Sequence, residues 1–396
     1  EKLSNALAKG LTDQGVKVVD AGLSTTPMFY YLKYKHGFDA GIMVTATHLP
    51  SGYNGFKAMK QGLDFMGYDS GFKEVEELIN NGKINDYPIL EEKGSITKED
   101  YSKSYVDFIN QSFTEDITGV KIVIDGSNGM IGPILKEVLS NYDIDYVGIN
   151  LDYNLENPAH SLNPIEPGAS DEIKEKVIEE NADFGAIFDA DADRIIFVDN
   201  KGKTLSSDYA LSIIASHLVK QGDVVVHDLL HGKAFVESLK DKCSLIESKV
   251  GHLFIKKNMI KYNARVGGEI SGHLFFKETG GTEETILALL YMISAIKKEG
   301  KKLSEIITPL EDSWLKSAEL NYKVESNEIK EQKIEEIKEL FKDEKQSFLD
   351  GVKVELDGAW FNLRKSNTEP VLRLRIEAKT KEILDSLQSK IERVIC

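Results

Sequence analysis

The sequence predicts an α/β protein built from several domains, and three observations support this. Short apolar strands alternate with amphipathic helices over most of the chain. Polar turns rich in glycine follow many of these strands. From Glu319 onward the pattern changes to clustered strands between two helices, which is typical of an antiparallel α+β module. We therefore expect three α/β domains and a smaller C-terminal α+β domain.

The order of elements follows from hydrophobic periodicity, with a spacing of about 3.6 residues for helices and short apolar runs for strands. Helices are predicted over residues 1–11, 27–34, 73–81, 100–113, 132–139, 170–180, 232–239, 253–262, 283–297, 327–342 and the final stretch. Strands are predicted over 16–20, 40–44, 120–125, 185–188, 195–198, 222–226, 352–356, 360–363 and 371–378, with a further one after Glu319.

The length of 396 residues agrees with two to four domains. The predicted boundaries give domain I at residues 1–117, domain II at 118–218, domain III at 219–318 and domain IV at 319–396. The chain opens on Glu1 without a methionine and already inside an amphipathic helix. This start predicts that further residues precede it and that domain I is incomplete at its N-terminus.

Composition excludes several classes of function. The 49 Lys and Arg residues against 65 Asp and Glu give a net charge of −16, which argues against nucleic acid or an acidic membrane as partner. No apolar run approaches the ~20 residues that span a bilayer, and no secretory signal is visible. With only Cys243 and Cys396, a disulfide framework is not indicated. We expect a cytoplasmic monomer or homodimer.

The segment from Val44 to Lys57 is the first candidate site. It follows a predicted buried strand, and its proline and glycines prevent a helix from continuing through it. The hydroxyl of Thr47, the imidazole of His48 and the ammonium of Lys57 together suggest a phosphate-carrying nucleophile with charge-stabilising neighbours. The alternative is a plain turn rich in Ser and Thr.

The second candidate lies between two apolar strands, where Asp189, Asp191 and Asp193 occupy alternate positions. Three crowded carboxylates need a cation, and hard oxygen ligands suit Mg²⁺. An EF-hand is excluded because its sixth and twelfth positions are Arg194 and Asn200. A site of the haloacid-dehalogenase kind, with aspartyl phosphotransfer, and an acidic surface turn remain as alternatives.

Two further loops carry convergent polar groups. In the turn before residue 274, Glu269, Ser271 and His273 alternate, so they share one face if the segment is extended and could read sugar hydroxyls. In the later loop, Arg364 offers a fork of donors for a phosphate. Its hydroxyl and amide partners are Ser366, Asn367 and Thr368. Either loop could instead be a satisfied polar connection.

A weaker signal is the turn Gly126-Ser-Asn-Gly129 at the start of a helix. It invites interpretation as a phosphate loop, but no Lys-Ser/Thr pair follows the last glycine. A structural turn between strand and helix is the better interpretation.

The four loops, in this order and in separate domains, resemble the α-D-phosphohexomutases, nearest to phosphomannomutase/phosphoglucomutase. The resemblance covers nearly the whole chain. It is carried by Thr45-Ala-Thr-His-Leu-Pro50 with Tyr53-Asn-Gly-Phe-Lys57, by Asp189-Ala-Asp-Ala-Asp-Arg194, by Gly268-Glu-Ile-Ser-Gly-His273 and by Arg364-Lys-Ser-Asn-Thr-Glu-Pro370.

The resemblance implies three related α/β domains and a smaller fourth domain around a central cleft. It places Thr47 at the phosphorylated position and the three aspartates on Mg²⁺, with Thr47 a further ligand through its phosphate. It assigns Glu269, Ser271 and His273 to the sugar and the loop from Arg364 to Thr368 to the non-reacting phosphate. It assigns proton transfer or phosphoryl stabilisation to Lys57, Arg194 and His252, and we expect His48 beside Thr47 to be catalytic as well.

The implied reaction interconverts hexose 1-phosphate and hexose 6-phosphate, of mannose or glucose, with a hexose 1,6-bisphosphate as intermediate and activator. The chain departs from the family pattern in having Thr47 in place of serine, Leu49 in place of asparagine, and Ala190 and Ala192 in place of glycines. A phosphoglucosamine mutase, a non-catalytic phosphosugar-binding relative and an aspartyl phosphatase using Asp189 are the alternatives.

Overall fold

A computed structural model describes residues 1–49, 52–366 and 370–395, apart from the side chain of Asn85. The predicted phosphate ligands Asn367 and Thr368 lie outside the described residues. The chain forms two compact units. The first contains Glu1–Thr204 and His273–Lys298, and the second contains Leu205–Gly272 and the described part of Glu299–Cys396.

The helices, in chain order, are α1 (Lys2–Asp13), α2 (Thr26–His36), α3 (Phe72–Asn80), α4 (Ser102–Ser112), α5 (Ile131–Leu139), α6 (Asp171–Glu179), α7 (Ser207–Leu218), α8 (Lys233–Leu239), α9 (His252–Lys261), α10 (Thr285–Glu299), α11 (Leu303–Ser313), α12 (Asn327–Leu340) and α13 (Lys381–Ile395).

The strands are β1 (Val18–Asp20), β2 (Gly41–Thr45), β3 (Gly55–Met59), β4 (Ile96–Lys98), β5 (Lys121–Asp125), β6 (Asp145–Ile149), β7 (Phe184–Phe188), β8 (Ile195–Asp199), β9 (Val224–Asp228), β10 (Ser244–Ser248), β11 (Val266–Gly268), β12 (Leu274–Phe276), β13 (Thr282–Glu283), β14 (Leu315–Lys316), β15 (Leu320–Lys323), β16 (Lys345–Ser347), β17 (Val352–Leu356), β18 (Ala359–Lys365) and β19 (Val371–Ala378).

The first unit is organised around a four-stranded sheet in the order β6-β5-β7-β8. Strand β5 runs parallel to both β6 and β7, whereas β8 returns antiparallel to β7. Every residue of β7 and β8 is buried, which matches their continuous apolar sequences. Because β7 and β8 are adjacent and antiparallel, the acidic segment between them forms a tight connection at one end of the sheet.

A two-stranded hairpin of the first unit carries the reactive segment. Strands β2 and β3 form an antiparallel hairpin in which Met43 lies opposite Lys57. Helix α2 enters this region at a capped start, because Thr25 Oγ1 accepts a hydrogen bond from Met28 N at 3.1 Å and Pro27 occupies the first turn. The helix ends at Gly37, whose φ of 67° is left-handed.

The second unit contains a parallel sheet and an antiparallel one. Strands β10, β9 and β11 are parallel. Helices α7 and α9 pack against these strands, and α8 packs against α7. The antiparallel sheet has the order β14-β19-β18-β17-β16, and β15 also pairs with β19. Its apolar face packs against α12 and α13, with Phe361, Leu374 and Ile391 fully buried in the common core.

Some sequence predictions need correction. The strand that precedes the reactive loop was expected to be buried, but β2 is only half-buried and Ile42 is 39% exposed. Glu283 was expected to begin a helix, yet it lies in β13 and α10 begins at Thr285. Within the described part of the chain, no helix has the length and apolar character required to cross a membrane.

Candidate active site

The acidic loop between β7 and β8 is held rigidly by its own backbone. Its three central carbonyls each accept a hydrogen bond from the start of a different helix: Ala190 O from Met130 N at 2.8 Å, Asp191 O from Thr26 N at 2.8 Å, and Ala192 O from Thr285 Oγ1 at 2.7 Å. These bonds tie the loop to α5, α2 and α10. The side chains on the loop are therefore fixed before any ligand binds.

The turn Gly126–Gly129 contributes to this support. A Cβ added at Gly129 would stand 2.5 Å from Ala190 O, so only glycine permits so close an approach of the two backbones. Ser127 Oγ also donates to Phe188 O at 2.5 Å, at the end of β7. The contacts of this turn agree with the structural interpretation favoured by the sequence.

The carboxylates of Asp189, Asp191 and Asp193 converge, as the alternating positions predicted, with one ligand atom from each within 4.8 Å of the others. Each carboxylate has one oxygen held by donors. Asp189 Oδ1 accepts a hydrogen bond from Arg194 N. Asp191 Oδ2 accepts from Thr26 Oγ1, Thr45 Oγ1 and Lys57 Nζ, and Asp193 Oδ2 accepts from Lys57 Nζ.

The second oxygen of each aspartate is buried, and no hydrogen bond from the described residues reaches Asp189 Oδ2, Asp191 Oδ1 or Asp193 Oδ1. Buried carboxylate oxygens without donors are costly unless a cation neutralises them. Burial, followed by repulsion from Asp193 and Asp191, raises the pKa of Asp189 well above its usual value. Three orphaned hard oxygens within one cluster fit a divalent cation such as Mg²⁺.

Lys57 reaches the same cluster from β3. Its Nζ lies 2.8 Å from Asp191 Oδ2 and 2.5 Å from Asp193 Oδ2. Burial disfavours the ammonium, but the charges of Asp193 and Asp191 outweigh burial and hold the pKa of Lys57 well above its usual value. The ammonium of Lys57 is therefore favoured, and in this position it can neutralise developing phosphate charge.

Thr47 lies in the turn that follows β2, in the same unit. Its φ of 49° is left-handed, which is uncommon for a β-branched residue. Its backbone N donates to Thr45 Oγ1 at 2.8 Å, and Leu49 N donates to Ala46 O at 3.0 Å. The turn is thus closed by two hydrogen bonds, and Thr45 links it to Asp191.

His48 lies beside the candidate nucleophile, with its Nδ1 3.1 Å from Thr47 Oγ1. Burial and the nearby guanidinium of Arg194 lower the pKa of His48 to about 4. The imidazole is therefore neutral near pH 7 and able to accept the hydroxyl proton of Thr47. This pairing is the arrangement that an activated hydroxyl nucleophile requires.

Arg194 and His273 complete the cluster in the first unit. Arg194 Nε donates to His273 Nε2 at 3.4 Å and lies 3.9 Å from Asp189 Oδ2. His273 Nε2 is 3.4 Å from Asp193 Oδ1. The structure thus places His273, predicted to read the sugar, next to the acidic loop.

The second unit holds Glu269 and Ser271. The segment is a turn and does not meet the condition of being extended, because Gly272 N donates to Glu269 O at 3.1 Å and Gly272 has a φ of 95°. Glu269 is buried and its Oε1 accepts a hydrogen bond from Gly251 N at 2.7 Å. The carboxylate of Glu269 is therefore held in place by the residue before α9.

The backbone of this turn is held by a buried carboxylate. Asp228 Oδ2 accepts a hydrogen bond from Ile270 N at 2.9 Å, while its Oδ1 accepts from Leu230 N at 2.9 Å and pairs with His231 Nδ1 at 2.9 Å. Asp228 is completely buried. Its charge is compensated by these donors, which lower its pKa despite burial.

His252 begins α9, and its Nδ1 lies 3.2 Å from the Nζ of Lys256, a fully buried lysine. In the antiparallel sheet, Arg364 Nη2 donates to Glu319 Oε1 at 3.0 Å, so a carboxylate already occupies part of its donor fork. Ser366 is buried, and its carbonyl accepts a hydrogen bond from the buried Lys330 at 3.3 Å.

The sequence analysis assigned no role to four polar residues at these sites: Thr26, Thr45, Asp228 and Lys256. Thr26 and Thr45 contact Asp191 from 165 and 146 residues away, and no local pattern reveals such pairs. Asp228 could have been found, because a carboxylate at the end of an apolar strand is a typical ligand or loop-supporting position. Lys256 stands four residues after His252, on the same helical face.

The site combines a hydroxyl, a neutral imidazole and an ammonium with three converging carboxylates. This combination is typical of enzymes that transfer phosphoryl groups.

Four domain families match the chain. They are phosphoglucomutase/phosphomannomutase alpha/beta/alpha domain I (residues 1–83), domain II (103–202), domain III (206–312) and the C-terminal domain (319–394).

Individual proteins of known sequence align with nearly the whole chain. The chain is 34% identical to the phosphomannomutase of Methanocaldococcus jannaschii over 384 residues, which cover 95% of this chain and 83% of that protein. It is 32% identical to the phosphoglucosamine mutase of Caldanaerobacter subterraneus subsp. tengcongensis, over 99% of this chain and 88% of the relative.

A crystal structure of a phosphoglucomutase/phosphomannomutase family protein from Burkholderia thailandensis superimposes with a TM-score of 0.85. The two are 25% identical, and the alignment covers 99% of this chain and 85% of that one. The chain belongs to the phosphoglucomutase/phosphomannomutase family. The predicted fold class, three α/β domains and a C-terminal domain, is thereby confirmed, as is the predicted enzyme class, a phosphohexomutase.

Proposed function

We propose that this isomerase interconverts hexose 1-phosphate and hexose 6-phosphate by way of a phosphate carried on Thr47. The observation that supports this most is the acidic cluster of the first unit. Each of its three carboxylates has one oxygen held by a donor and one buried oxygen without a hydrogen bond from the described residues. Such a site favours a cation and, through the cation, a phosphoryl group.

The proposed first step passes the phosphoryl group from Thr47 to the free hydroxyl of the sugar phosphate. The bond between Thr47 Oγ1 and phosphorus breaks as a bond between phosphorus and the sugar oxygen forms. The sugar hydroxyl loses its proton to a base, and the leaving Thr47 Oγ1 takes up a proton, which restores the threonine hydroxyl. We assign that base to His252. The product is a hexose 1,6-bisphosphate, which also serves as activator when it is supplied from outside.

The second step returns the other phosphate to Thr47. Thr47 Oγ1 gives its proton to the neutral His48 and bonds to phosphorus, and the sugar oxygen that leaves takes up a proton. The ammonium of Lys57 and the guanidinium of Arg194 stabilise the negative charge that develops on the phosphoryl oxygens.

We assign the resident metal to Asp189, Asp191 and Asp193, with the phosphate on Thr47 as a further ligand. When bound, Mg²⁺ neutralises charge on the transferring phosphoryl group. The residues of the chain do the positioning, because Asp191 Oδ2 and Asp193 Oδ2 are already fixed by donors and the other oxygens are left for the ion.

We assign recognition of the sugar to Glu269, Ser271 and His273, and recognition of the non-reacting phosphate to Arg364 and Ser366 with Asn367 and Thr368. The proposed domains span residues 1–117, 118–218, 219–318 and 319–396. Mannose phosphates are proposed as substrates because a relative bears the name phosphomannomutase, and glucose phosphates because the matching family is named phosphoglucomutase/phosphomannomutase.

The test is turnover of glucose 1-phosphate and mannose 1-phosphate with Mg²⁺ and a hexose 1,6-bisphosphate, comparing the wild type with Thr47→Ala. The proposal expects turnover by the wild type and a loss of at least about 10³-fold in Thr47→Ala, as for removal of other nucleophiles. Equal turnover by both proteins would contradict it.

A second candidate, phosphoglucosamine mutase, is favoured by relatives that bear that name at similar identity. Glucosamine 1-phosphate in the same assay separates the two. An aspartyl phosphatase using Asp189 is disfavoured, because that side chain is completely buried and its Oδ1 accepts the backbone hydrogen bond of Arg194. A non-catalytic relative would show no turnover of any of the three sugars.

A further inference from the structure

Thr45 makes two hydrogen bonds with a single hydroxyl. Its Oγ1 donates to Asp191 Oδ2 at 3.0 Å and accepts from Thr47 N at 2.8 Å. A hydroxyl has one proton and two lone pairs, so both bonds can form at once and each fixes the orientation needed by the other. The hydroxyl thus connects the acidic loop to the turn that carries the candidate nucleophile.

The conformation of Thr47 gives this connection its importance. A β-branched residue with a φ of 49° is strained and persists only where its surroundings impose the conformation. Its backbone N, which sets that conformation, is bonded to Thr45 Oγ1. Side-chain oxygens that accept from the backbone two residues later are known to stabilise turns of this kind.

Thr26 supplies a natural comparison. Its Oγ1 donates to the same oxygen, Asp191 Oδ2, at 2.8 Å. It also accepts from Lys57 Nζ at 3.0 Å, and no hydrogen bond joins it to the described part of the Thr47 turn. The two threonines therefore share a role in holding Asp191, whereas only Thr45 holds the nucleophile.

We propose that Thr45 is a positioning residue that aligns Thr47 with the acidic cluster for phosphoryl transfer, through its simultaneous bonds to Asp191 and to the Thr47 backbone. This inference rests on the proposed function. It goes further by assigning a role to a residue outside the predicted catalytic set. Its hydroxyl touches neither the sugar nor the transferred phosphoryl group in the proposed reaction.

The test uses Thr45→Val, which keeps the shape and removes the hydroxyl, Thr45→Ser, which restores it, and Thr26→Val as the matched variant. Mn²⁺ affinity of each unphosphorylated protein is measured by calorimetry. The rate of phosphoryl uptake from glucose 1,6-bisphosphate is measured by intact mass at saturating metal. Thermal unfolding reports whether each variant is folded.

Both valine variants should weaken Mn²⁺ binding by roughly two- to tenfold, the effect of one lost hydrogen bond to a carboxylate. At saturating metal, Thr45→Val should still take up phosphate about 100-fold more slowly than the wild type, as expected when a reacting group is misplaced. Thr45→Ser should lie within about threefold of the wild type, as expected if the hydroxyl alone matters, and Thr26→Val should be faster than Thr45→Val.

Equal uptake rates for Thr45→Val and Thr26→Val at saturating metal would overturn the inference while leaving the proposed function intact. A Thr45→Ser variant as slow as Thr45→Val would also overturn it, because packing of the methyl group would then be responsible. If the wild type itself took up no phosphate, the proposed function would fail and the inference with it.

Discussion

Lys57 Nζ lies 2.5 Å from Asp193 Oδ2, inside the carboxylate cluster that is proposed to bind the metal. It is also 2.8 Å from Asp191 Oδ2, so the ammonium already neutralises part of the charge of both aspartates. In the proposed site, lysine and metal would share the same carboxylates through different oxygens. The proposed chemistry needs both cations, yet each would weaken the attraction of the cluster for the other.

This relationship predicts opposite effects for Lys57→Met. Loss of the ammonium should raise Mg²⁺ affinity by at least about tenfold, because two unit charges a few ångströms apart repel strongly in a buried site. Phosphoryl uptake should fall by about 10²- to 10³-fold, since a stabilising charge is lost. Calorimetry and intact mass measure the two effects. The control is Lys60→Met, whose exposed ammonium donates to Ser70 O outside the cluster. A parallel fall of affinity and rate would contradict the prediction.

Thr47→Ser should match or exceed the wild type in phosphoryl uptake, by up to about tenfold. Serine keeps the hydroxyl beside His48 but lacks the methyl group that makes a φ of 49° costly, and relief of about 1–2 kcal/mol is expected. Thermal unfolding should show a small stabilisation. A serine variant that is stable but more than tenfold slower would show that the methyl group itself orients the hydroxyl.

Glu284→Gln should remove a specific pH dependence of stability. Glu284 is fully buried beside Tyr105, whose hydroxyl donates to its Oε2 at 2.6 Å, and burial raises its pKa from 4.5 to about 8. The folded protein therefore holds a proton that the unfolded chain releases above its pKa. Stability should fall as pH rises from about 4.5 to 8, by at most about 1.4 kcal/mol per pH unit.

Denaturant unfolding of the wild type and Glu284→Gln between pH 5 and 8 checks this. The glutamine variant should lose the slope that belongs to this carboxyl, and Glu175→Gln, an exposed residue of α6, should keep it. Identical profiles for the wild type and Glu284→Gln would show that the carboxyl stays ionised in the fold.

Asp228→Asn should weaken recognition of the sugar more than it slows the chemical steps. The substitution replaces an acceptor of Ile270 N with a group that can present a donor, so the turn carrying Glu269 and Ser271 loses its support. KM for the hexose phosphate should rise by roughly tenfold, with a smaller change in kcat. Steady-state kinetics test this against Asp241→Asn, at an exposed turn. A loss confined to kcat would contradict it.

The convergence of Asp189, Asp191 and Asp193 could be predicted because its cause is local. The three carboxylates occupy alternate positions on a short connection between two buried strands, so their side chains must project close together. The sequence analysis also placed Lys57 in the same segment as Thr47 and His48, although it did not predict β3, the strand on which Lys57 lies. The main helices and strands of the C-terminal domain could also be predicted from the sequence, because their hydrophobic periodicity is strong.

Other features depend on distant parts of the chain and could not be predicted from the sequence. The bonds from Thr26 and Thr45 to Asp191 span more than a hundred residues. Thr45 stands in a motif of the family resemblance, but no local pattern links either threonine to Asp191. The alternation of Glu269, Ser271 and His273 would put them on one face only in an extended segment, whereas Asp228 and Gly272 impose a turn. The partial exposure of β2 likewise depends on which distant segments pack over the strand, and its apolar sequence does not show this.

The central claim is that the Thr47 hydroxyl carries the phosphoryl group. Its most direct test is intact-mass measurement after incubation with Mg²⁺ and glucose 1,6-bisphosphate, followed by peptide mapping. The account predicts one adduct of ~80 Da on the wild type, mapped to Thr47 and absent from Thr47→Ala. It also predicts that the adduct is lost when excess hexose phosphate is added. An adduct that persists in Thr47→Ala, or that maps to Asp189, would contradict the account.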